Sequence, residues 1–165
     1  MTRVETQSVL ARISGDTKLM AQLLYGSGLR LSECLCLRVQ DVDFAGSEIT
    51  VFNGKGAKDR VTMLPYGIKG PLRDHLRCVR QLHNADLAEG WGRVQMSEAL
   101  QRKYPAAASY WRLQWVFPQR HRWRDAETNR QGRHHIDDTI LQRAVKDAVC
   151  AAGITKRVGC HTFRH

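Results

Sequence analysis

Acidic residues are scarce in this sequence, with 16 Asp and Glu against 26 Lys and Arg and a formal net charge of +10. This imbalance favours a polyanionic partner, because summed basic charge attracts phosphate-bearing ligands. The basic excess lies mostly in residues 91–165, which hold 14 basic and 6 acidic residues, whereas residues 1–90 hold 12 and 10. A basic surface that faces only solvent has the same composition, so the choice between this explanation and a polyanionic partner depends on sequence motifs.

Long apolar runs are also absent. No stretch approaches the roughly 18 residues that span a bilayer, and Met1 to Leu10 carries charges where a signal peptide is apolar. The five cysteines are odd in number, and no two of them have the two-residue gap of a zinc knuckle. We therefore expect a soluble cytoplasmic protein with no membrane partner and with reduced thiols that are buried or half-buried.

The apolar pattern of the first third predicts two helices and a sheet. Helical spacing in 19–24 and again in 31–37, with Gly26-Ser27-Gly28 between them, indicates a helix, a tight turn and a second helix. The period then changes to two at 49–51 and 61–63, with turn residues between these runs. A small antiparallel sheet is expected there.

The rest of the chain is expected to be mainly helical. Helical periodicity returns from Leu72 to Leu87 and stops at Gly90, and a short helical run follows at 98–103. A last helix is predicted from about Ile136 to Ala152, with Gly153 at its C-terminal end. The fold class is therefore α+β, one mainly helical domain with a small antiparallel sheet.

An aromatic stretch separates these helices. Trp111, Leu113, Trp115 and Phe117 alternate with their neighbours up to a proline. Such alternation is typical of an apolar strand with one side on the core, and this is the simpler interpretation. The alternative is an exposed aromatic face on which nucleic-acid bases stack.

A first basic motif runs from Gly26 to Glu33. Its glycines allow a sharp turn and place Arg30 near the start of the following helix, where an anion is favoured. Arg30 can grip a phosphate by two parallel hydrogen bonds, and Glu33, one turn on, can hold the guanidinium in place. A surface Arg–Glu pair on a helix explains the same residues.

Two more basic motifs follow. Gly54–Arg60 sets Lys55 between two glycines at the tip of the predicted hairpin, and it lacks the spacing of a phosphate-binding P-loop. By itself it is also explained as a solvated turn. At the other end, His161 and Arg164 are three residues apart and share a helix face, with Phe163 directed to the core. An imidazole and a guanidinium suit proton transfer and charge neutralisation at a phosphoryl centre.

In this order the three motifs resemble the catalytic domain of the tyrosine recombinases, the phage-integrase family of DNA strand-exchange enzymes. The resemblance covers nearly the whole chain from about Leu19. Further stretches are similar to the integron integrase branch, which carries an insertion that corresponds to about 88–133 here. These stretches are Leu87–Trp91, Ala99–Pro105, Trp115–Phe117, Arg133–His135 and Ala151–Lys156.

The resemblance implies a role for each motif residue. Arg30 and Arg164 are the catalytic arginines that clamp the scissile phosphate. Lys55 is similar to the hairpin lysine that protonates the departing 5' oxygen, and His161 to the assisting acid or base. Glu33 matches the acidic residue that supports the first arginine. No metal and no other cofactor is implied, because the protein supplies the cations.

Other basic side chains are candidates for contacts with DNA. They are Lys58, Arg60, Arg120, Arg122, Arg124, Arg130, Arg133, His134 and His135. For the two histidines the simpler interpretation, which we place first, is that they cap the last helix. The implied partner is a DNA recombination site, which the integron branch takes as a folded single strand with extrahelical bases. The inserted aromatic and basic stretch suits that task.

A last absence concerns tyrosine. In the family the attacking tyrosine follows the second arginine by some tens of residues, whereas all four tyrosines here, Tyr25, Tyr66, Tyr104 and Tyr110, precede it. The N-terminal core-binding domain of the family also has no counterpart in the sequence. The resemblance thus implies that residues 1–165 are a partial catalytic domain, truncated before its nucleophile and inactive alone. Self-association would cover the apolar surface left by missing helices.

Two other classes of function stay open. A non-catalytic module could grasp nucleic acid through the Arg-rich loop 120–133, with the motif residues idle. Alternatively, the chain could be an interaction fragment that pairs with intact recombinase subunits. Charge reversal separates the first alternative from the recombinase hypothesis, because one depends on the loop and the other on Arg30 and Arg164.

Overall fold

The computed structural model describes residues 1–52, 59–129 and 131–164, without the side chains of Glu98 and Arg164. The helices are α1 (Arg3–Arg12), α2 (Gly15–Ser27), α3 (Leu31–Leu35), α4 (Tyr66–Ala88), α5 (Glu98–Lys103) and α6 (Asp138–Ala151). The strands are β1 (Val42–Asp43), β2 (Glu48–Val51), β3 (Arg60–Met63), β4 (Trp123–Arg124) and β5 (Gln131–Gly132). Short 3₁₀ turns lie at Val39–Asp41, Ala107–Ser109, Trp111–Leu113 and Cys160–Arg164. The expected α+β class, mainly helical with small antiparallel sheets, is confirmed.

Helix α2 is the centre of the fold. Leu23 and Leu24 on it are fully buried, and the helix packs against α4, α6 and the Cys160–Arg164 turn. It ends at Gly28, whose backbone is left-handed with φ of 61°. The predicted helix, tight turn and second helix are therefore confirmed.

The sequence pattern does not predict α1, because its apolar residues do not form a continuous stripe. Its start carries a capping box instead: the Thr2 hydroxyl accepts from the Glu5 backbone N–H at 3.2 Å, and Glu5 accepts from the Thr2 N–H at 2.7 Å. Glu5 also binds Lys156 at 2.8 Å, and Arg12 donates to the Ala151 carbonyl at 3.1 Å. These contacts connect α1 to the end of α6 and to the segment that follows it.

The predicted antiparallel sheet consists of β1, β2 and β3 in that order. Ile49 lies opposite Thr62 and is fully buried. The Thr62 hydroxyl donates to the Ser27 carbonyl at 2.7 Å and so fastens β3 to the end of α2. The tip of the β2–β3 hairpin, with Lys55 and Lys58, lies outside the described residues.

The predicted strand through 111–117 is wrong. Trp111–Leu113 forms a 3₁₀ turn, and the extended residues after it make only isolated bridges within the described part of the chain. The predicted burial is right for Trp115 and Phe117, which are 8% and 1% exposed. Gln114 and Val116 are buried as well, at 8% and 0% exposed, so the segment packs into the core on both sides without strand pairing.

Residues 88–133 contain α5, two 3₁₀ turns and the β4–β5 hairpin, in which Trp123 pairs with Gly132. A Cβ atom at Gly132 would lie 1.8 Å from the carbonyl oxygen of Arg93. Only glycine allows β5 to pass this close to the backbone of residue 93.

The cysteines are all free, but their burial differs from the expectation. Cys34 and Cys160 are buried, whereas Cys36, Cys78 and Cys150 are exposed. Burial raises the pKa of the Cys34 thiol. Within the described residues, no helix is both long and apolar enough to cross a membrane.

Candidate functional site

An open cleft of about 710 Å³ lies between α3, the start of α6 and the Cys160–Arg164 turn. Its polar wall residues are Arg30, Ser32, Gln119, His134, His135, Asp137, Asp138 and His161. Four of these, Arg30, His134, His135 and His161, are predicted from the sequence as site residues. Folding therefore brings together side chains from three distant parts of the chain.

Arg30 is fixed at the N-terminal end of α3. Its Nη1 donates to Glu33 Oε1 at 2.5 Å, and its backbone N–H donates to Glu33 Oε2 at 2.7 Å. Arg60 joins the same carboxylate, with Nη2 2.6 Å from Oε2. The side chain of Arg30 is 30% exposed while that of Glu33 is 8% exposed. The guanidinium is thus held by Glu33 and still accessible at the cleft.

The carboxylate between the two arginines stays ionised. Burial would raise the pKa of Glu33, but hydrogen bonds from the Arg30 backbone and from the Arg30 and Arg60 side chains outweigh burial and lower that pKa. Two guanidiniums and one carboxylate leave one positive charge in the cluster. This net positive charge attracts anions, and Arg30 of the cluster lines the cleft.

The Cys160–Arg164 turn brings His161 to the cleft. Phe163, 1% exposed, anchors this turn in the core, as expected from the sequence. The Gly159 backbone N–H donates to the Thr162 hydroxyl at 3.2 Å and closes the turn. The turn is 3₁₀ rather than α-helical, and Arg164 is its last residue.

The rings of His134 and His135 each contact an aromatic side chain. His134 stacks on Trp123 with ring centroids 5.2 Å apart, and His135 meets Trp115 edge-on at 5.3 Å. Burial, and then the nearby His135, lower the pKa of His134. The side chain of Asp137 caps α6, so the interpretation of the histidines as caps is wrong.

Arg122 and Arg133, predicted as DNA contacts, bind a carboxylate inside the protein. Arg133 Nε lies 2.5 Å from Asp86 Oδ2, and Arg122 Nη2 lies 2.8 Å from Asp86 Oδ1. Arg122 also binds Glu89 at 2.6 Å. The Asp86 side chain is 4% exposed and that of Arg133 11%. A contact between Arg133 and DNA would require this ion pair to open.

Arg120 and Arg124, also predicted as DNA contacts, are less tightly held. Arg120 is exposed in a neighbouring cleft of about 400 Å³, which shares Gln119 and Asp137 with the main cleft. Arg124 is exposed and binds the Asn129 side chain at 2.6 and 3.0 Å. Lys55, Lys58 and Arg130 lie outside the described residues.

Sequence reasoning missed Ser32, Gln119, Asp137 and Asp138 as wall residues. Single polar residues of this kind carry no motif, so the sequence offers no signal for them. In the part of the chain that the structure describes, no three His, Cys, Asp or Glu side chains converge as a metal site would require.

The comparison with protein families gives one match over nearly the full length. The model of the phage integrase family matches residues 2–165. The chain belongs to the phage integrase family. It is 45% identical over 165 residues to proteins described as integrase/recombinase in Escherichia coli and in Pseudomonas aeruginosa. Each match covers 100% of this chain and 49% of the relative, so the chain spans about half the length of these family members.

Solved structures share the fold. The crystal structure of XerA recombinase superposes with a TM-score of 0.59 at 22% identity and covers 100% of this chain and 47% of that chain. XerH recombinase in a pre-cleavage complex with its difH substrate gives a TM-score of 0.53 at 18% identity, over 100% of this chain and 40% of that chain. At these identities the likeness shows the fold alone.

Proposed function

We propose that this chain is the DNA-binding, phosphate-gripping part of a site-specific tyrosine recombinase that serves DNA integration and recombination. The observation that carries the proposal is Arg30, held by the carboxylate that it shares with Arg60, on one open cleft with His161, in a member of the phage integrase family. A net charge of +10 supports DNA as the partner.

Each motif residue has a role in this proposal. Arg30 and Arg164 neutralise the non-bridging oxygens of the scissile phosphate as negative charge builds up. His161 moves a proton at the reacting phosphate, and Lys55 delivers one to the departing 5' oxygen. Glu33 holds Arg30 in the orientation that grips the phosphate. No metal takes part in this scheme.

The proposal includes a preference for integron-type sites, in which unpaired bases stand out from a folded strand. Trp115 is buried, so it is unsuited to stacking, whereas Trp111 and Trp123 are half-buried in the aromatic and basic stretch. A base stacked on such a ring contributes about 1 to 3 kcal/mol. We expect a folded strand with extrahelical bases to bind more tightly than the matched duplex.

A polypeptide of these 165 residues is expected to bind DNA without cutting it. All four tyrosines precede the His161–Arg164 motif, so none occupies the position of the family's nucleophile. The arginines still act on the uncleaved phosphate, because they bind the ground state as well as the transition state. A suicide substrate should give no denaturant-stable adduct, and an adduct would contradict this expectation.

The central test compares two arginines. Arg30→Gln removes a guanidinium from the cleft, and Arg77→Gln removes one that is 75% exposed and bound to the exposed Asp74. Both variants lose one positive charge. If the cleft grips a phosphate, Arg30→Gln should weaken duplex binding by about tenfold or more and lower the salt slope by about 1. Arg77→Gln should change the affinity little.

The same measurement of duplex affinity tests the alternative that the chain is a non-catalytic module that binds nucleic acid through the Arg-rich loop. Arg120 and Arg124 are the exposed arginines of the Arg-rich loop in the described residues. Reversing their charge together should leave most of the Arg30-dependent affinity in place. If instead the loop variant abolishes binding and Arg30→Gln has no effect, the chain is a nucleic-acid-binding module and the recombinase proposal is overturned.

A further inference from the structure

The buried carboxylate of Asp86 joins the end of α4 to both ends of the β4–β5 hairpin. Arg122, just before β4, donates Nε to Oδ1 at 3.0 Å. Arg133, just after β5, donates Nε to Oδ2 at 2.5 Å and Nη2 to Oδ1 at 3.0 Å. One carboxylate therefore accepts from two guanidiniums, and its side chain is only 4% exposed.

This anchor continues into the wall of the cleft. The Nη1 of Arg133 donates to the Gln119 carbonyl at 3.2 Å and also to the Arg120 carbonyl. The Gln119 backbone N–H in turn donates to the His134 carbonyl at 2.8 Å. Gln119 and His134 both line the cleft, and His134 directly follows Arg133 in the chain. Asp86 lies outside the cleft and is connected to it through these bonds.

We propose that Asp86 is a positioning residue, which acts through Arg133 to hold Gln119 and His134 in the cleft wall where they face the bound phosphate backbone. The proposal rests on the function proposed above. It also gives Arg122 and Arg133 a different role from the direct contact with DNA expected from the sequence. Both guanidiniums bind Asp86, and they contribute to DNA binding by maintaining the shape of the cleft.

A competing explanation predicts that loss of the Asp86 carboxylate changes the affinity for DNA in the opposite direction. If the arginines around Asp86 acted only through their charge, removing the carboxylate would release both guanidiniums and tighten DNA binding. If Asp86 positions the wall, its removal weakens binding although the net charge becomes more positive. The sign of the change in affinity therefore decides between the two explanations.

The test uses Asp86→Asn with Glu89→Gln as the matched control. Both variants remove one negative charge that pairs with Arg122, but Glu89 is 58% exposed and does not bind Arg133. With a labelled DNA duplex at fixed salt, Asp86→Asn should weaken binding by about tenfold or more, since a small misplacement at a site has effects of that size. Glu89→Gln should bind as the unaltered chain does, or slightly more tightly.

Further variants exclude simple loss of folding. Arg133→Lys keeps the charge but cannot span both carboxylate oxygens, so it should weaken binding in the same direction. Asp86→Glu keeps a carboxylate and should recover part of the affinity. Circular dichroism is recorded for each variant at the temperature of the binding measurement, so that only folded protein is compared.

Nuclear magnetic resonance of His134 gives a readout that needs no DNA. Burial and the nearby His135 lower the pKa of His134 below 6.5. In Asp86→Asn the wall loosens, and the pKa of His134 should rise toward that ordinary value. If Arg30→Gln weakens DNA binding while Asp86→Asn tightens it and leaves His134 unchanged, this inference is overturned and the proposed function stands. If Arg30→Gln has no effect on binding, the proposed function itself fails.

Discussion

At the scale of single residues, Glu33 is the side chain on which the cluster depends. It is 8% exposed and accepts three hydrogen bonds, from the Arg30 backbone and from the side chains of Arg30 and Arg60. A glutamine in its place offers one acceptor oxygen and turns an amide donor toward a guanidinium. Glu33→Gln should therefore lower the free energy of unfolding by about 1 to 3 kcal/mol, measured by urea denaturation at neutral pH.

The control for this substitution is Glu48→Gln, on the exposed side of β2. It makes the same change in charge and should alter the stability little. The difference between Glu33→Gln and the unaltered chain should also shrink in acid. The pKa of Glu33 is lowered in the folded chain, so its contribution is present above pH 4.5 and is lost as the pH falls through the lowered value. Equal effects of the two substitutions would contradict the role of Glu33.

Arg30 and Arg133 show what the sequence reveals about a site. The partner of Arg30 is Glu33, three residues away, so helical spacing alone predicts their contact. The partner of Arg133 is Asp86, 47 residues away, and only the tertiary fold brings them together. Both arginines are predicted from the sequence as site residues, yet a local pattern cannot tell a guanidinium that faces a ligand from one that holds two segments together.

At the scale of elements, the turn between α2 and α3 sets the position of Arg30. Gly28 has a left-handed backbone with φ of 61°, and nothing lies within 4 Å of an added Cβ. Gly67, in the first turn of α4, also has open space around an added Cβ but an ordinary helical backbone. The two glycines therefore differ in conformation and not in available space.

The same substitution is therefore predicted to change the free energy of unfolding in opposite directions at the two glycines. Gly28→Ala should lower the free energy of unfolding by about 1 to 2 kcal/mol, because a Cβ is strained in the left-handed region. Gly67→Ala should raise it by about 0.5 kcal/mol, because alanine restricts the unfolded chain. Thermal or urea unfolding of both variants measures the difference, and destabilisation by both would show that packing rather than backbone conformation governs these positions.

The long helices α4 and α6 are predicted from the sequence because each has a complete apolar stripe. Helices α4 and α6 bury such stripes, and their predicted ends lie within a few residues of the observed ends except at the start of α4, which begins at Tyr66. Helix α1 is not predicted, because it has no apolar stripe. A capping box and an ion pair define it instead. The segment 111–117 is mistaken for a strand because its aromatic residues alternate in the sequence, whereas the fold buries the consecutive residues 114–117 without strand pairing.

At the scale of the whole molecule, Asp16, Glu33 and Asp86 are three of the carboxylates that connect segments distant in the chain. Asp16 at the start of α2 lies 3.1 Å from His75 on α4, Glu33 joins α3 to β3, and Asp86 joins α4 to the hairpin. The hydrogen bond from His75 lowers the pKa of Asp16 against the effect of burial. Burial raises the pKa of Asp86, but its bonds to Arg133 and Arg122 outweigh this and lower it.

These shifts predict how stability depends on pH. Burial lowers the pKa of His83 and of His134, so the unfolded chain takes up protons first as the pH falls below 6.5 and the folded state loses stability. Below 4.5 the three carboxylates, with lowered pKa values, add a second loss in the same direction. Asp41 opposes it, because burial raises its pKa and its protonation favours the folded chain.

Urea unfolding near pH 7, about pH 5 and about pH 3 should therefore show a free energy of unfolding that falls at each step, more steeply at the second. In Asp86→Asn the second fall should be smaller, because one of the three carboxylates no longer has to be protonated. Asp43→Asn, on the exposed side of β1, is the control and should follow the curve of the unaltered chain. A stability that rises between pH 5 and pH 3 would mean that Asp41, rather than the three ion-paired carboxylates, dominates the acid response.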